Sequence, residues 1–114
     1  MNEEIKTMLG NSITVSDVDV PVAHIRYKGT SKTFITWVIA SDTPYLNAND
    51  DELYGVEQVD VHVFSDSNYL NIMRKIKQLF KENEWLWVED SIEMYEEDTE
   101  LYHRVMTFEK ERMI

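Results

Sequence analysis

Within a few residues of position 65 the hydrophobic period of this chain changes from two to three-and-four, and few folds accommodate that change. Val59, Val61 and Val63 alternate with Gln58, Asp60 and His62, as in a strand with one buried face, and Phe64 makes the second face partly apolar. Ser65, Asp66 and Ser67 follow, residue types that accept hydrogen bonds from free helix N–H groups. The apolar positions then become Tyr69, Ile72, Met73, Ile76, Leu79 and Phe80, one stripe of an α-helix stopped near Asn83. Burying that stripe is worth on the order of 10 kcal/mol, which makes the strand and helix between Tyr54 and Phe80 the expected core nucleus.

The remaining elements are read around this unit. Asn2 to Leu9 forms a short amphipathic helix with Ile5, Met8 and Leu9 on one side, ended by Gly10-Asn11. Ile13 to Val20 reads as an extended lead-in closed by Pro21, since Ser16, Asp17 and Asp19 argue against a central strand. Val22–Lys28 and Thr33–Ala40 are β-rich runs joined by Gly29-Thr30-Ser31-Lys32, a hairpin pattern. The second run is apolar on both faces, the mark of a strand covered on each side or meeting another subunit. Residues 41–52 carry no periodic pattern and read as an acidic loop. Asn47, Asn49 and Asp51 alternate as calcium ligands do. The EF-hand template nevertheless fails at its sixth position, Glu52, and its twelfth, Gln58.

Trp85 to Tyr95 reads as a strand bent or bulged near Asp90, with Leu86, Val88, Ile92 and Met94 on its apolar side and Trp87 on its polar side. Glu96 to Glu100 is an acidic turn, Leu101 to Glu109 a last strand, and 110–114 a fraying tail. A chain of 114 residues with one such core is a single domain. It divides into a helix and lead-in (1–21), a sheet with the main helix (22–109) and the tail (110–114). The expectation is an α+β fold in the order α-β-β-β-α-β-β, with about five mostly antiparallel strands and the main helix on one sheet face. A parallel crossover from the third strand through the helix to the fourth would make the sheet mixed, and would normally be right-handed.

Composition narrows the function. A net charge of −11 speaks against sequence-specific nucleic-acid binding, which relies on a basic footprint. The signs are segregated: Asp42 to Asp66 holds seven carboxylates and Glu89 to Glu100 seven more, neither stretch with a Lys or Arg. Arg74, Lys75, Lys77 and Lys81 lie on the main helix. The absence of cysteine excludes disulfides, thiolate metal sites and a cysteine nucleophile. The acidic start Met1-Asn2-Glu3-Glu4 is unlike a signal peptide and no apolar run reaches membrane-spanning length, so a cytoplasmic chain with no membrane partner is expected.

No constellation points to catalysis. His24, His62 and His103 are widely separated, without HxH or HExxH spacing, and read as ordinary sheet-surface side chains. The carboxylate pairs Asp50-Asp51 and Glu96-Glu97 lie in loops, and Gly10, Gly29 and Gly55 are too scattered for a phosphate loop. No catalytic residue, cofactor or metal is expected, and the chain does not read as an enzyme. The aromatic residues point elsewhere. Trp37, Trp85, Trp87, Tyr45, Tyr54 and Tyr95 exceed what one small core hides, and Trp87 and Tyr45 suggest a protein partner. The candidate interaction residues are Tyr45, Asp50, Asp51, Glu52, Arg74, Lys75, Lys77, Trp87, Glu96, Glu97 and Asp98, with the cations set to pair with a neighbour's carboxylates.

Val22-Ala23-His24-Ile25-Arg26-Tyr27-Lys28-Gly29, Thr33-Phe34-Ile35-Thr36-Trp37, Asp50-Asp51-Glu52 leading to Tyr54 and Val59-Asp60-Val61, and Tyr95-Glu96-Glu97-Asp98-Thr99-Glu100-Leu101-Tyr102-His103 form an ordered set. From Val22 to Phe108 the chain thereby resembles the tail completion or tail terminator proteins of long-tailed phages and prophages. The resemblance implies a ring, commonly hexameric, at the head-proximal end of the tail tube, stopping tube growth and meeting the head connector. Its partners would be its own copies, the tube protein and the connector protein. Its place would be the host cytoplasm and then the virion tail, and a subunit monomeric in isolation would be compatible with assembly on the tube tip. Carboxylates lining such a passage would keep DNA mobile. The alternative, from another class, is a small acidic DNA mimic that inhibits a host protein.

Overall fold

A computed structural model describes residues 3–46 and 53–113. The chain is α+β, with elements in the order α1 (Glu3–Leu9), β1 (Ser12–Val15), β2 (Val18–His24), β3 (Phe34–Leu46), β4 (Leu53–Ser65), α2 (Leu70–Glu82), β5 (Leu86–Asp90), β6 (Met94–Glu96) and β7 (Leu101–Met113). The seven strands form one mixed sheet in the order β1-β2-β3-β4-β7-β5, with β6 also paired to β7.

The strand and helix at the centre form as their periods dictate. Val59, Val61 and Val63 of β4 are buried, and Ile72, Met73, Ile76 and Phe80 of α2 are buried in the same cluster. Phe80 stacks on Phe108 of β7 at 4.0 Å between centroids and meets Trp85 edge-on at 5.7 Å. α1 adds Ile5 and Leu9 to this core. It ends on Gly10, whose φ of 61° lets its N–H reach the Lys6 carbonyl at 2.8 Å, an αL cap. Asn83 ends α2, its side-chain amide donating to the Leu79 carbonyl at 2.8 Å. At the other end of α2 the expected caps are displaced. Asn68 Oδ1 accepts from the Leu70 N–H at 3.0 Å, whereas the Ser65 hydroxyl is spent on the Ser67 N–H and the Thr33 hydroxyl.

Five expectations are corrected. Residues 13–20 are not a lead-in but most of a hairpin. Ser16 and Asp17 both take positive φ, 51° and 65°, as a two-residue type I′ turn requires, and Pro21 lies inside β2 opposite Ser12. Val22–Lys28 and Thr33–Ala40 do not form an antiparallel hairpin: β2 stops at His24 and runs parallel to β3 through Val22↔Ile35 and His24↔Trp37. The strand is turned aside at Ile25, with φ 68°, and the loop then folds around Tyr27. The Tyr27 hydroxyl accepts from the Ser31 N–H at 3.0 Å, and its ring stacks on Phe34 at 4.5 Å. That ring so closely covers Gly29 that a Cβ there would lie 2.3 Å from it. Residues 41–46 are strand, not loop. They pair with β4 from Ser41↔Gln58 to Leu46↔Leu53 after a register shift between Ile39 and Ser41, so cross-strand pairing overrides their polar composition. β7 does not fray at 110 but pairs with β4 as far as Met113↔Tyr54, and Lys110 donates to Glu4 and to the Asn83 carbonyl, both at 2.9 Å. The sheet accordingly has seven strands rather than about five.

The fourth predicted strand, expected as one strand bent or bulged near Asp90, is broken there into two, β5 and β6. Both β4 and β5 are antiparallel to β7, which lies between them, so the connection through α2 is a parallel crossover. The calcium-like loop positions Asn47, Asn49 and Asp51 fall outside the described residues.

Ile76 is fully buried beneath α2, and Ile76→Ala should lower unfolding free energy by ~2–5 kcal/mol, read from urea denaturation midpoints. A loss below about 1 kcal/mol would contradict the placement of this stripe at the core.

Candidate functional site: the open sheet margin

β5 and β6 form one margin of the sheet, and their large apolar side chains are uncovered. A register shift between Trp87 and Glu89 makes Val88 an extra residue in β5. Trp87 and Asp90 therefore lie opposite Phe108 and Met106, while Leu86 and Glu89 lie opposite Glu109 and Thr107. The expected apolar row of Leu86, Val88 and Ile92 is thus not a buried row. These residues are 63%, 40% and 81% exposed, and Trp87 and Tyr95 about half exposed.

The margin is held in place by Asp90. Its carboxylate accepts from Lys77 of α2 at 2.7 Å and from the Trp87 indole N–H at 2.9 Å, and lies 3.9 Å from Arg104. The Lys77 ammonium also lies 4.7 Å from the Trp87 ring centroid, a cation–π contact. A partly exposed ion pair of this kind contributes only about 0–1 kcal/mol to folding. Its structural effect is to fix an indole ring that the solvent touches.

Beyond β5, the Tyr69 hydroxyl donates to Glu93, and the Arg104 guanidinium lies 5.8 Å from the Tyr69 ring centroid. Burial and the Glu93 bond raise the phenol above its ordinary pKa. Ser67, Asn68, Leu70 and Tyr102 complete the wall of an open cleft of about 540 Å³ around these groups.

On the sheet face away from α2, pairing of β4 with β7 brings together two histidines read as separate. His62 Nδ1 and His103 Nε2 are 2.8 Å apart, and Phe64 stacks on His103 at 4.1 Å. One ring donates and the other accepts, so the bond survives a first protonation but not a second. Burial lowers the pKa of both; the charge of His62 further lowers that of His103, while Asp60 and Glu96 act weakly in the opposite sense. His24 stacks separately on Trp37 at 4.1 Å. Among the described residues no three His, Asp or Glu side chains converge on a metal position.

Of the residues singled out from sequence, the structure brings Lys77 and Trp87 together through Asp90. Arg74 is exposed on α2, bonded to Asn71 at 3.4 Å, and Lys75 is half-buried. Glu96, Glu97 and Asp98 lie exposed at the β6–β7 turn, about 23 Å along β7 from Trp87 at ~3.3 Å per residue. Tyr45 pairs with Tyr54 through the backbone, and Asp50, Asp51 and Glu52 fall outside the described residues. The His62–His103 pair and the Asp90 hub escape sequence reading because neither has a local spacing. The rise in polarity from Glu89 to Glu93 is the signal that could have marked β5 as a margin.

Because folding lowers the histidine pKa values, the unfolded chain binds protons first. Stability is complete above about pH 6.5, the ordinary histidine value, and falls as pH drops below it. Urea midpoints measured from pH 7.5 to 5 should therefore fall less steeply for His103→Gln than for the parent chain; equal slopes would contradict the coupling. No helix among the described residues is long and apolar enough to cross a membrane. No model of a known protein family matches the chain, and no curated protein matches it in sequence.

Proposed function

We propose that the chain is a structural protein of a long-tailed phage or prophage tail, forming a ring at the head-proximal end of the tube that ends tail growth and joins tail to head. The ordered strings from Val22 to Phe108 suggest this role, and the observation that carries it is the open margin. A strand edge bearing exposed Leu86, Trp87, Val88 and Ile92 invites a protein cover, and a closed ring of identical subunits supplies one for every copy. The reading requires no catalytic step and no cofactor. Its partners are further copies, six in the rings of the family it resembles, together with the tube and connector proteins. The subunit passes from the host cytoplasm to the virion tail.

The charge agrees with that role. Carboxylates facing a DNA passage repel phosphates within ~8–10 Å at ordinary ionic strength, and the stretch from Asp42 to Asp66, together with Glu97 and Asp98 of the β6–β7 turn, would supply them. The exposed Glu96, Glu97 and Asp98 also favour a second reading, a DNA mimic that occupies a basic host protein.

Electron microscopy of particles from a phage lacking this protein is the test. Tubes of uncontrolled length and heads without tails are expected. Normal-length tails joined to heads would overturn the proposal, and displacement of DNA from a host protein by the purified chain would then favour the mimic.

A further inference from the structure

The structure carries a second surface whose chemistry is the inverse of the open margin. From Val20 to Ser41 the chain has no carboxylate, while Arg26, Lys28 and Lys32 are exposed in the loop between β2 and β3. None of these three cations makes an ion pair among the described residues. Ile25, beside them, is 64% exposed. The open margin is apolar and net acidic: from Glu89 to Glu100 there are seven carboxylates and no Lys or Arg, Lys77 and Arg104 offset only Asp90 among them, and Glu89 and Ile92 project into solvent.

Ile25 and Ile92 belong to opposite sides of the sheet. β2 is separated from β5 by β3, β4 and β7, four strand spacings or about 19 Å, so one copy cannot bring Ile25 onto its own Trp87 and Ile92. At the base of the sheet Lys32 does share a cleft with Asp98 and Glu100 of its own chain, without pairing to either.

We propose that the occupant of the open margin is a second copy of this chain docked head to tail, its β2–β3 loop lying on the β5–β6 margin of its neighbour. Ile25 meets the apolar side chains around Trp87 and Ile92, and Arg26 and Lys28 meet Glu89 and Glu96. Charge rejects the competing occupants. Two copies joined margin to margin would oppose one set of carboxylates to another, and nucleic acid or an anionic lipid surface would be repelled. A contact between two different patches leaves a free patch at each end, so it propagates until the subunits close into a ring or extend as a filament. The inference deepens the ring reading and rests on it for the closure.

The chain has no cysteine, so single introduced thiols report the contact cleanly. Ile25→Cys and Ile92→Cys proteins, mixed in equal amounts with a short bismaleimide, should cross-link to each other at least about tenfold more than either does alone, and the chain carrying both changes should give a ladder. Adding Arg26→Glu and Lys28→Glu to the first protein should reduce that yield about tenfold, and adding Glu89→Lys and Glu96→Lys to the second should restore it. Predominant Ile92→Cys homodimers, or a mixed yield no higher than the homotypic ones, would overturn the proposal, as would indifference to charge reversal. If phage lacking the protein form aberrant tails and the cross-link fails, the tail role stands and this contact is wrong. If the cross-link and its charge rescue succeed but tails form normally, the contact stands and the tail role is wrong.

Discussion

The contact between the apolar stripe of α2 and the valine row of β4 constrains everything else in the molecule. Val59, Val61 and Val63 are at most 1% exposed, and Ile76 and Phe80 are sealed against the same core. With that face of β4 committed to the helix, its alternate residues go to the opposite face, and the pairing with β7 determines what they meet there. Phe64 thereby comes against His103, and His62 finds the same imidazole. Covering one face of the central strands with helices also leaves the short β5 at the sheet's margin, joined to the helix by little more than the Lys77–Asp90 pair.

The parts of the fold legible in sequence are those whose cause is local. The valine alternation and the helix stripe each declare themselves within a dozen residues, and Gly10 stops α1 by its positive φ and Asn83 stops α2 by its side-chain bond to the Leu79 carbonyl, neither needing tertiary context. The β2–β3 relation was illegible for the opposite reason. Gly29-Thr30-Ser31-Lys32 has hairpin composition, yet the backbone turns earlier, at Ile25, and Gly29 serves the close approach of the Tyr27 ring rather than a chain reversal. A parallel match of only three residue pairs leaves no periodic trace. Residues 41–46 and 110–113 likewise become strand because β4 offers them a partner, not because their own composition asks for it.

The candidate site divides in the same way. Trp87 was visible as an aromatic residue on the polar side of its strand, and it is half exposed. Lys77 was visible as a helix cation suited to a carboxylate in another subunit; the carboxylate it meets, Asp90, is thirteen residues away in its own chain. A bulge was expected near Asp90 and lies at Val88, but the exposure of the apolar row was not visible: Leu86, ahead of the bulge, pairs with Glu109, and Ile92 lies beyond the end of β5. The histidine pair depends on a strand register that brings together two residues forty-one positions apart, a relation that no motif encodes.

The place of β7 has a consequence for synthesis. The strand that enters the sheet between β4 and β5 is the last of the seven in chain order, and it carries Met106 and Phe108 into the core. Until it leaves the ribosome, β4 has an unpaired edge, Phe80 lacks the ring it stacks on, and the Glu4 carboxylate awaits a lysine 106 residues further along. Native pairing is dominated by contacts distant in sequence, which delays folding relative to chains built from local contacts. The central sheet therefore cannot complete its pairing before β7 is made, and until then β4 presents a long bare strand edge to every nascent chain beside it.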